Sequence, residues 1–154
     1  MFNHSIQFSR NRRNDFAIKI FISVLFLCLV CPIRFKIQSA VPITLQSLAV
    51  MLVAIWFGWR IGVSAILLYI FLGAVGFHVF ADYKSGVEKL WGPTGGFFFG
   101  FLVAGYYAGI FVEKIKFQKP VWNLLLWIGG HAIIILIGVI WYSMDLLMEL
   151  LYHH

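Results

Sequence analysis

The amino-acid sequence predicts an all-α integral membrane protein: a single domain, residues 1–154, with a bundle of five transmembrane helices and a short C-terminal amphipathic helix. Hydrophobic residues make up 62% of the chain and charged residues 12%, and the mean hydropathy is +0.91. Soluble domains are about half apolar and about a quarter charged, so the apolar surplus implies that lipid is the solvent. Five apolar runs also follow one another, each near the ~20 residues that cross a bilayer.

Polar or basic segments separate these runs. Residues 1–15 form a polar, basic arm. After it, the apolar runs predict helices over residues 16–31, 41–57, 62–80, 94–112 and 121–141. In residues 142–154, Asp145 and Glu149 fall on one side and leucines on the other. This pattern is typical of an interfacial helix or of an incomplete sixth helix.

The distribution of basic residues predicts the topology. If the N-terminus lies inside, eight basic residues are internal: Arg10, Arg12, Arg13, Lys19, Arg60, Lys114, Lys116 and Lys119. Four are then external: Arg34, Lys36, Lys84 and Lys89. The positive-inside rule therefore favours a multi-pass protein of the cytoplasmic (inner) membrane with a cytoplasmic N-terminus. The 34–41 link and the 81–93 loop would both face outside.

The stretch 91–97, Trp-Gly-Pro-Thr-Gly-Gly-Phe, opens the predicted fourth helix. Pro93 suits the first turn of a helix, and Thr94 can cap its free amides. Free N–H groups at a helix start suit an anion or a polar ligand group. Small residues then recur at every fourth position on one face: Gly96, Gly100, Ala104 and Ala108. Such a stripe lets another helix backbone come close.

Several kinds of chemistry have no motif in this sequence. There is no GxxxxGK[ST] nucleotide loop, no HExxH and no pair of intramembrane carboxylates. We therefore expect a protein that is not an enzyme and that has no cofactor or metal. The net charge of +6 concerns topology, and we infer no nucleic-acid partner from it. For His131, deep in the fifth helix, we favour a hydrogen-bonded packing role over a functional one. We likewise favour two small core residues over a redox site for Cys28 and Cys31.

The predicted external loop is rich in polar and aromatic side chains. Within ten residues it offers acceptors, cations and aromatic faces: Asp82, Tyr83, Lys84, Glu88, Lys89 and Trp91. A solvated loop with an aromatic belt and a binding loop are both open interpretations. The position just before the start of the fourth helix favours binding.

Four motifs resemble those of the BioY family, the biotin-binding S components of energy-coupling-factor (ECF) transporters. Residues 41–50, VPITLQSLAV, are similar to the family's VP-[VI]-T-L-Q-T-L-A-V, and residues 58–62, GWRIG, to its G-P-R-x-G. Residues 67–81 resemble its LLYLLLGAxGLPVFA, and residues 92–97, GPTGGF, its GPTGGY. The resemblance implies an all-helical protein that captures biotin from outside. Its expected partners are the lipid bilayer, a transmembrane T subunit and two ATPase subunits.

The resemblance also implies features that we do not find in the sequence. The family has a sixth helix with a PGDxxK-like motif, and we expect residues 1–154 to lack it. The family's Ala-xxx-Ala face for docking the T subunit is also missing from the first helix, where Ala17, Ser23 and Cys28 are not four residues apart. Two alternatives therefore stay open: a truncated, non-transporting remnant or membrane scaffold, and an S component for another vitamin.

A biotin site needs an apolar pocket with a few converging polar groups. The carboxylate requires a cation or a helix N-terminus, which the lysines and the amides after Thr94 could supply. The ureido N–H groups require an acceptor such as Asp82 or Gln46, and aromatic side chains could wall the ring. The expected ligand residues are Thr44, Gln46, Asp82, Tyr83, Lys84, Lys89, Trp91, Thr94, Gly95 and Phe97.

Overall fold

The structure, a computed structural model, describes residues 12–35, 43–115 and 120–152. Its helices are α1 (Arg12–Val30), α2 (Leu45–Val75), α3 (Glu88–Trp91), α4 (Gly95–Lys114) and α5 (Pro120–Tyr152). Two short strands, β1 (Arg34–Phe35) and β2 (Ile43–Thr44), pair antiparallel just before α2. A 3-10 turn spans Ala81–Tyr83. The predicted all-helical membrane fold is confirmed.

Three helices of the described chain are long and apolar enough to cross a membrane. They are Leu45–Val75, Gly95–Lys114 and Val121–Tyr152. The first of them contains two predicted helices, and α1 is not among the three. The number of five membrane spans therefore stays a prediction.

A turn at Gly58 divides α2 into the two helices that were predicted separately. Gly58 has φ 80° and ψ 173°, a left-handed φ that favours glycine. Beyond it the chain folds back on itself, as the distance of 3.1 Å between Gln46 Nε2 and Tyr69 Oη shows. A straight helix would separate those residues by roughly 35 Å. The two halves pack closely, since a Cβ added to Gly62 would lie 2.8 Å from the Ala54 Cα.

The first part of the small-residue stripe on α4 faces α5. A Cβ added to Gly100 would lie 3.1 Å from the Cα and 3.2 Å from the carbonyl oxygen of Ile134. A Cβ added to Gly96 would overlap the side chain of Trp141. The two helices therefore approach through backbone and small side chains.

The other small residues of α4 are buried or face α2. Ala104 and Ala108 are fully buried. Gly109 lies against the backbone of Trp59, where an added Cβ would overlap it. As a result α4 lies between the second half of α2 and α5, and its rotation about its own axis is tightly constrained.

The first helix closes the other side of the bundle. Within α1 the buried residues are Ser23, Val24 and Leu27, and this helix packs against α2. Cys31 is buried and Cys28 is half-buried, and both are free thiols.

The C-terminal part of α5 differs from the prediction. We expected the fifth helix to end at Trp141 and a separate amphipathic helix to follow, whereas α5 runs without a break to Tyr152. No glycine or proline occurs after Gly138 to end the helix. At 33 residues, α5 is about 50 Å long, longer than the ~30 Å hydrocarbon core. An interfacial position for residues 142–154 stays a prediction.

The described connections lie at two opposite ends of the bundle. At one end the Gly58 turn lies against Glu113, whose Oε1 would be 2.5 Å from a Cβ added to Gly58. At the other end are the start of α2 and the 79–95 segment, where Trp141 Nε1 donates a hydrogen bond to the Gly92 carbonyl at 3.1 Å. We call this second end the loop end. It contains the described part of both segments that were predicted to face outside.

Candidate ligand-binding site

A cavity of about 760 Å³ lies at the loop end. This volume falls within the roughly 300–1,000 Å³ typical of small-molecule sites. The start of α2, the 80–94 segment, the start of α4 and the middle of α5 all contribute to it. The lining residues are Leu45, Gln46, Ser47, Leu48, Phe80, Ala81, Asp82, Lys84, Glu88, Lys89, Gly92, Pro93, Thr94, Phe97, Phe98, Phe101, His131, Ile134 and Ile135.

Three phenylalanines form an aromatic wall of the cavity. The ring centroids of Phe80 and Phe98 are 4.5 Å apart, and those of Phe98 and Phe101 are 5.9 Å apart. Gly73 makes room for this wall, because a Cβ at that position would overlap the Phe80 ring. The wall offers flat apolar area to a ligand ring.

A tight turn after Phe80 sets the directions of the side chains of residues 81–84. The Phe80 N–H donates to the Lys84 carbonyl at 3.1 Å. Asp82 and Tyr83 have left-handed φ angles of 61° and 55°, a region that residues other than glycine seldom adopt. This turn places Asp82 and Lys84 on the cavity wall, and it leaves Tyr83 65% exposed.

A buried hydrogen-bond chain lies behind the first turn of α2. Gln46 Nε2 donates to Tyr69 Oη at 3.1 Å, and Tyr69 Oη donates to the Val79 carbonyl at 3.0 Å. Tyr69 is fully buried and Gln46 is 6% exposed. The chain joins the two halves of α2 to the residue that precedes the aromatic wall.

Two carboxylates and two ammonium groups line the cavity: Asp82, Glu88, Lys84 and Lys89. Lys84 is exposed and Lys89 is half-buried. Among the described residues, neither lysine forms an ion pair. Both ammonium groups can therefore attract a ligand carboxylate without first losing a partner.

The start of α4 differs from the prediction. Thr94 makes no side-chain cap hydrogen bond, so the predicted capping role is wrong. Its φ of −94° and ψ of 0° are helical, whereas a capping side chain needs an extended backbone to reach the next amides. Two of the amides that we expected to be free are paired: Gly95 N–H donates to the Gly92 carbonyl at 2.9 Å, and Phe97 N–H to the Thr94 carbonyl at 3.2 Å.

Comparison with known proteins identifies the family. A family model described as the BioY family matches residues 7–152. The chain belongs to the BioY family. It is 40% identical over 99 residues to the biotin transporter BioY of Thermotoga maritima, a match that covers 64% of this chain and 57% of that protein. It is 44% identical over 101 residues to the biotin transporter BioY2 of Lactococcus lactis, covering 66% of this chain and 55% of that protein. The chain thus matches little more than half the length of these relatives.

The fold of this BioY-family chain also has a solved counterpart. It is similar to the crystal structure of the S-component for biotin from an ECF-type ABC transporter, with a TM-score of 0.77 and 20% sequence identity. The likeness covers 90% of this chain and 76% of that chain. At this identity the likeness establishes the fold.

Six of the ten expected ligand residues line the cavity of this BioY-family chain: Gln46, Asp82, Lys84, Lys89, Thr94 and Phe97. Tyr83 and Trp91 do not line it, and they are 65% and 69% exposed. Gly95 is buried, and a Cβ added to it would meet Leu90 and Trp141. Thr44 lies in β2, and its side chain is outside the described part of the chain. A ligand-binding role for each of these residues stays a prediction.

The α5 wall was not predicted from the sequence. His131, Ile134 and Ile135 line the cavity. His131 Nδ1 lies 2.9 Å from the Trp127 carbonyl oxygen. A carbonyl can only accept, so Nδ1 carries the proton and a neutral ring leaves Nε2 as an acceptor. His131 thus combines the hydrogen-bonded role that we favoured with a place on the cavity wall. A histidine inside an apolar helix was the sequence signal for it.

Proposed function

We propose that this BioY-family chain binds biotin at the loop-end cavity and acts as the substrate-capture component of an ECF-type transporter. The observation that supports this most is the composition of the cavity. It combines a buried amide, two lysines that form no ion pair with the described residues, and an aromatic wall in a volume of about 760 Å³. Relatives of the chain are named biotin transporters.

Each part of biotin has a chemical counterpart in the cavity. The carboxylate matches the ammonium groups of Lys84 and Lys89, which can make charge-assisted hydrogen bonds. The ureido N–H groups match acceptors such as the Gln46 carbonyl oxygen and His131 Nε2. The fused ring and valeryl chain match the wall of Phe80, Phe98 and the isoleucines of α5. The apolar wall thus matches the body of biotin, the two lysines match its carboxylate, and Gln46 with His131 matches its ureido group.

We further propose that the chain works with an ECF T subunit and ATPase subunits in the cytoplasmic membrane. The sequence has no nucleotide-binding loop, so energy for uptake would come from partners. The basic residues favour a cytoplasmic N-terminus, which would put the cavity on the external side. Capture from outside suits this arrangement.

Equilibrium binding tests the proposed ligand. Purified chain in detergent or nanodiscs should bind radiolabelled biotin saturably at micromolar concentration or below. Unlabelled biotin should compete, whereas thiamine and riboflavin, which lack the ureido ring and the valeryl carboxylate, should not. If saturable biotin binding is absent from a correctly folded sample, the proposal is refuted and a membrane scaffold becomes the better interpretation. Competition by another vitamin alone would instead indicate a different ligand.

Cysteine labelling tests the proposed orientation. In a Cys28→Ala, Cys31→Ala background, Ser85→Cys at the loop end should react with a membrane-impermeant maleimide added to intact cells. Lys114→Cys at the opposite end should react only after the membrane is permeabilised. The expectation follows from the eight internal and four external basic residues. The reverse labelling pattern would place the cavity on the cytoplasmic side and contradict capture from outside.

A further inference from the structure

The direction of the buried hydrogen-bond chain can be assigned from its last acceptor. The Val79 carbonyl can only accept, so the Tyr69 hydroxyl donates its single proton there, at 3.0 Å. Tyr69 Oη must then accept the hydrogen bond from Gln46, at 3.1 Å. The group of Gln46 that faces Tyr69 is therefore the NH₂ group and not the carbonyl oxygen.

This assignment fixes the other end of the amide. The two ends of a glutamine amide have nearly the same shape, and only the hydrogen-bond network distinguishes them. Because the NH₂ group faces Tyr69, the Oε1 atom is directed away from that hydroxyl. Gln46 lines the cavity and is 6% exposed. The amide therefore offers the cavity a hydrogen-bond acceptor.

We propose that Tyr69 is a positioning residue that makes the site selective for ligands with an N–H donor at this point. It does not line the cavity. It acts by holding the Gln46 carbonyl oxygen toward the ligand, so that a ligand N–H opposite that oxygen is satisfied and a ligand carbonyl at the same place is not. The identity of the ligand rests on the proposed function, in which a ureido N–H of biotin occupies this position.

The burial of Tyr69 makes its hydrogen bonds decisive for the orientation of the Gln46 amide. Tyr69 is fully buried and its ring packs edge-on against Phe80, with centroids 5.8 Å apart. A rotated amide would bring its oxygen against Tyr69 Oη, whose proton is already used by Val79. Two facing acceptors in a buried place are unfavourable, because each loses a hydrogen bond that water no longer replaces. The tyrosine hydroxyl therefore disfavours the rotated amide, which would cost a buried hydrogen bond at either Val79 or Gln46.

A double-mutant cycle tests this inference. Tyr69→Phe keeps the ring and removes the hydroxyl, and it should weaken biotin binding by roughly 3- to 10-fold, the scale of one neutral hydrogen bond. In a Gln46→Ala background the same substitution should have no effect on biotin affinity, since there is no amide to orient. Tyr107→Phe removes a hydroxyl that lies near the Leu125 carbonyl, away from the cavity, and serves as the matched control. It should leave affinity unchanged.

A second readout separates positioning from a merely structural role. Two biotin derivatives, each methylated on one ureido nitrogen, remove one N–H donor at a time. The parent chain should bind one derivative much more weakly than the other, and Tyr69→Phe should reduce that difference.

The outcomes distinguish this inference from the proposed function. Equal loss of affinity caused by Tyr69→Phe with and without Gln46, or an unchanged difference between the two derivatives, would overturn the positioning role while biotin binding stands. Absence of biotin binding by the folded parent chain would refute the proposed function and this inference with it.

Discussion

Gly100→Leu is expected to disrupt the α4–α5 contact and to give the largest loss of stability of any single substitution that we propose. The nearest atoms to a Cβ at this position are the Cα and carbonyl oxygen of Ile134, at 3.1 and 3.2 Å. Backbone cannot rotate away as a side chain can, so the two helices must separate. Overpacking of a core typically costs about 1–3 kcal/mol, and we expect a value at or above the upper end.

Thermal unfolding in detergent, followed by circular dichroism and size-exclusion chromatography, measures this effect. Val103→Leu is the matched control, because Val103 lies on the same helix and is 46% exposed. Its side chain is nearly half exposed, so the one added carbon has room to extend away from the helix contact. If Gly100→Leu unfolded at the same temperature as the parent chain, the close approach of α4 and α5 would be wrong.

Most of the fold could be predicted from the sequence because helix formation in a membrane depends on local patterns. The apolar runs predicted the helices, and the Gly-Trp-Arg sequence at Gly58 predicted the turn inside α2. The end of α5 was not predicted, because we took the polar residues after Trp141 as a helix boundary. Hydropathy indicates where the apolar solvent ends, whereas the end of a helix is typically marked by a glycine, an asparagine or a following proline. No glycine or proline interrupts it there.

The site was only partly predictable, for a different reason. The predicted topology put the start of α2 and the 80–94 loop at one end of the bundle. This was sufficient to predict that Gln46, Lys84 and Lys89 lie near one another at the cavity. The α5 wall depends on how that helix is rotated, and the contact of Ile134 with Gly100 sets this rotation. A sequence gives the faces of a helix but not which neighbour each face meets. Tyr83 does not line the cavity, because its direction depends on a left-handed turn, φ 55°; its role in ligand binding stays a prediction.

The substitution Lys89→Met is expected to weaken biotin binding by about 1.5–3 kcal/mol, roughly 10- to 150-fold in Kd. Methionine keeps much of the apolar stem and removes the ammonium group that we assign to the ligand carboxylate. Lys84→Met should have a smaller effect. Lys84 is exposed and Lys89 is half-buried, and water and salt screen an exposed charge more strongly. Isothermal titration of purified variants with biotin measures both.

Biotin methyl ester and a distant lysine provide the controls for this assignment. The ester lacks the negative charge, so it should bind the parent chain more weakly than biotin and should lose little further affinity with Lys89→Met. Lys114→Met, at the opposite end of the bundle, should bind biotin as the parent does. Raising the ionic strength should weaken biotin binding more in the parent than in Lys89→Met, since only the parent retains the charge pair. Equal losses of biotin and ester affinity with Lys89→Met would mean that the lysine supports the loop and does not hold the carboxylate.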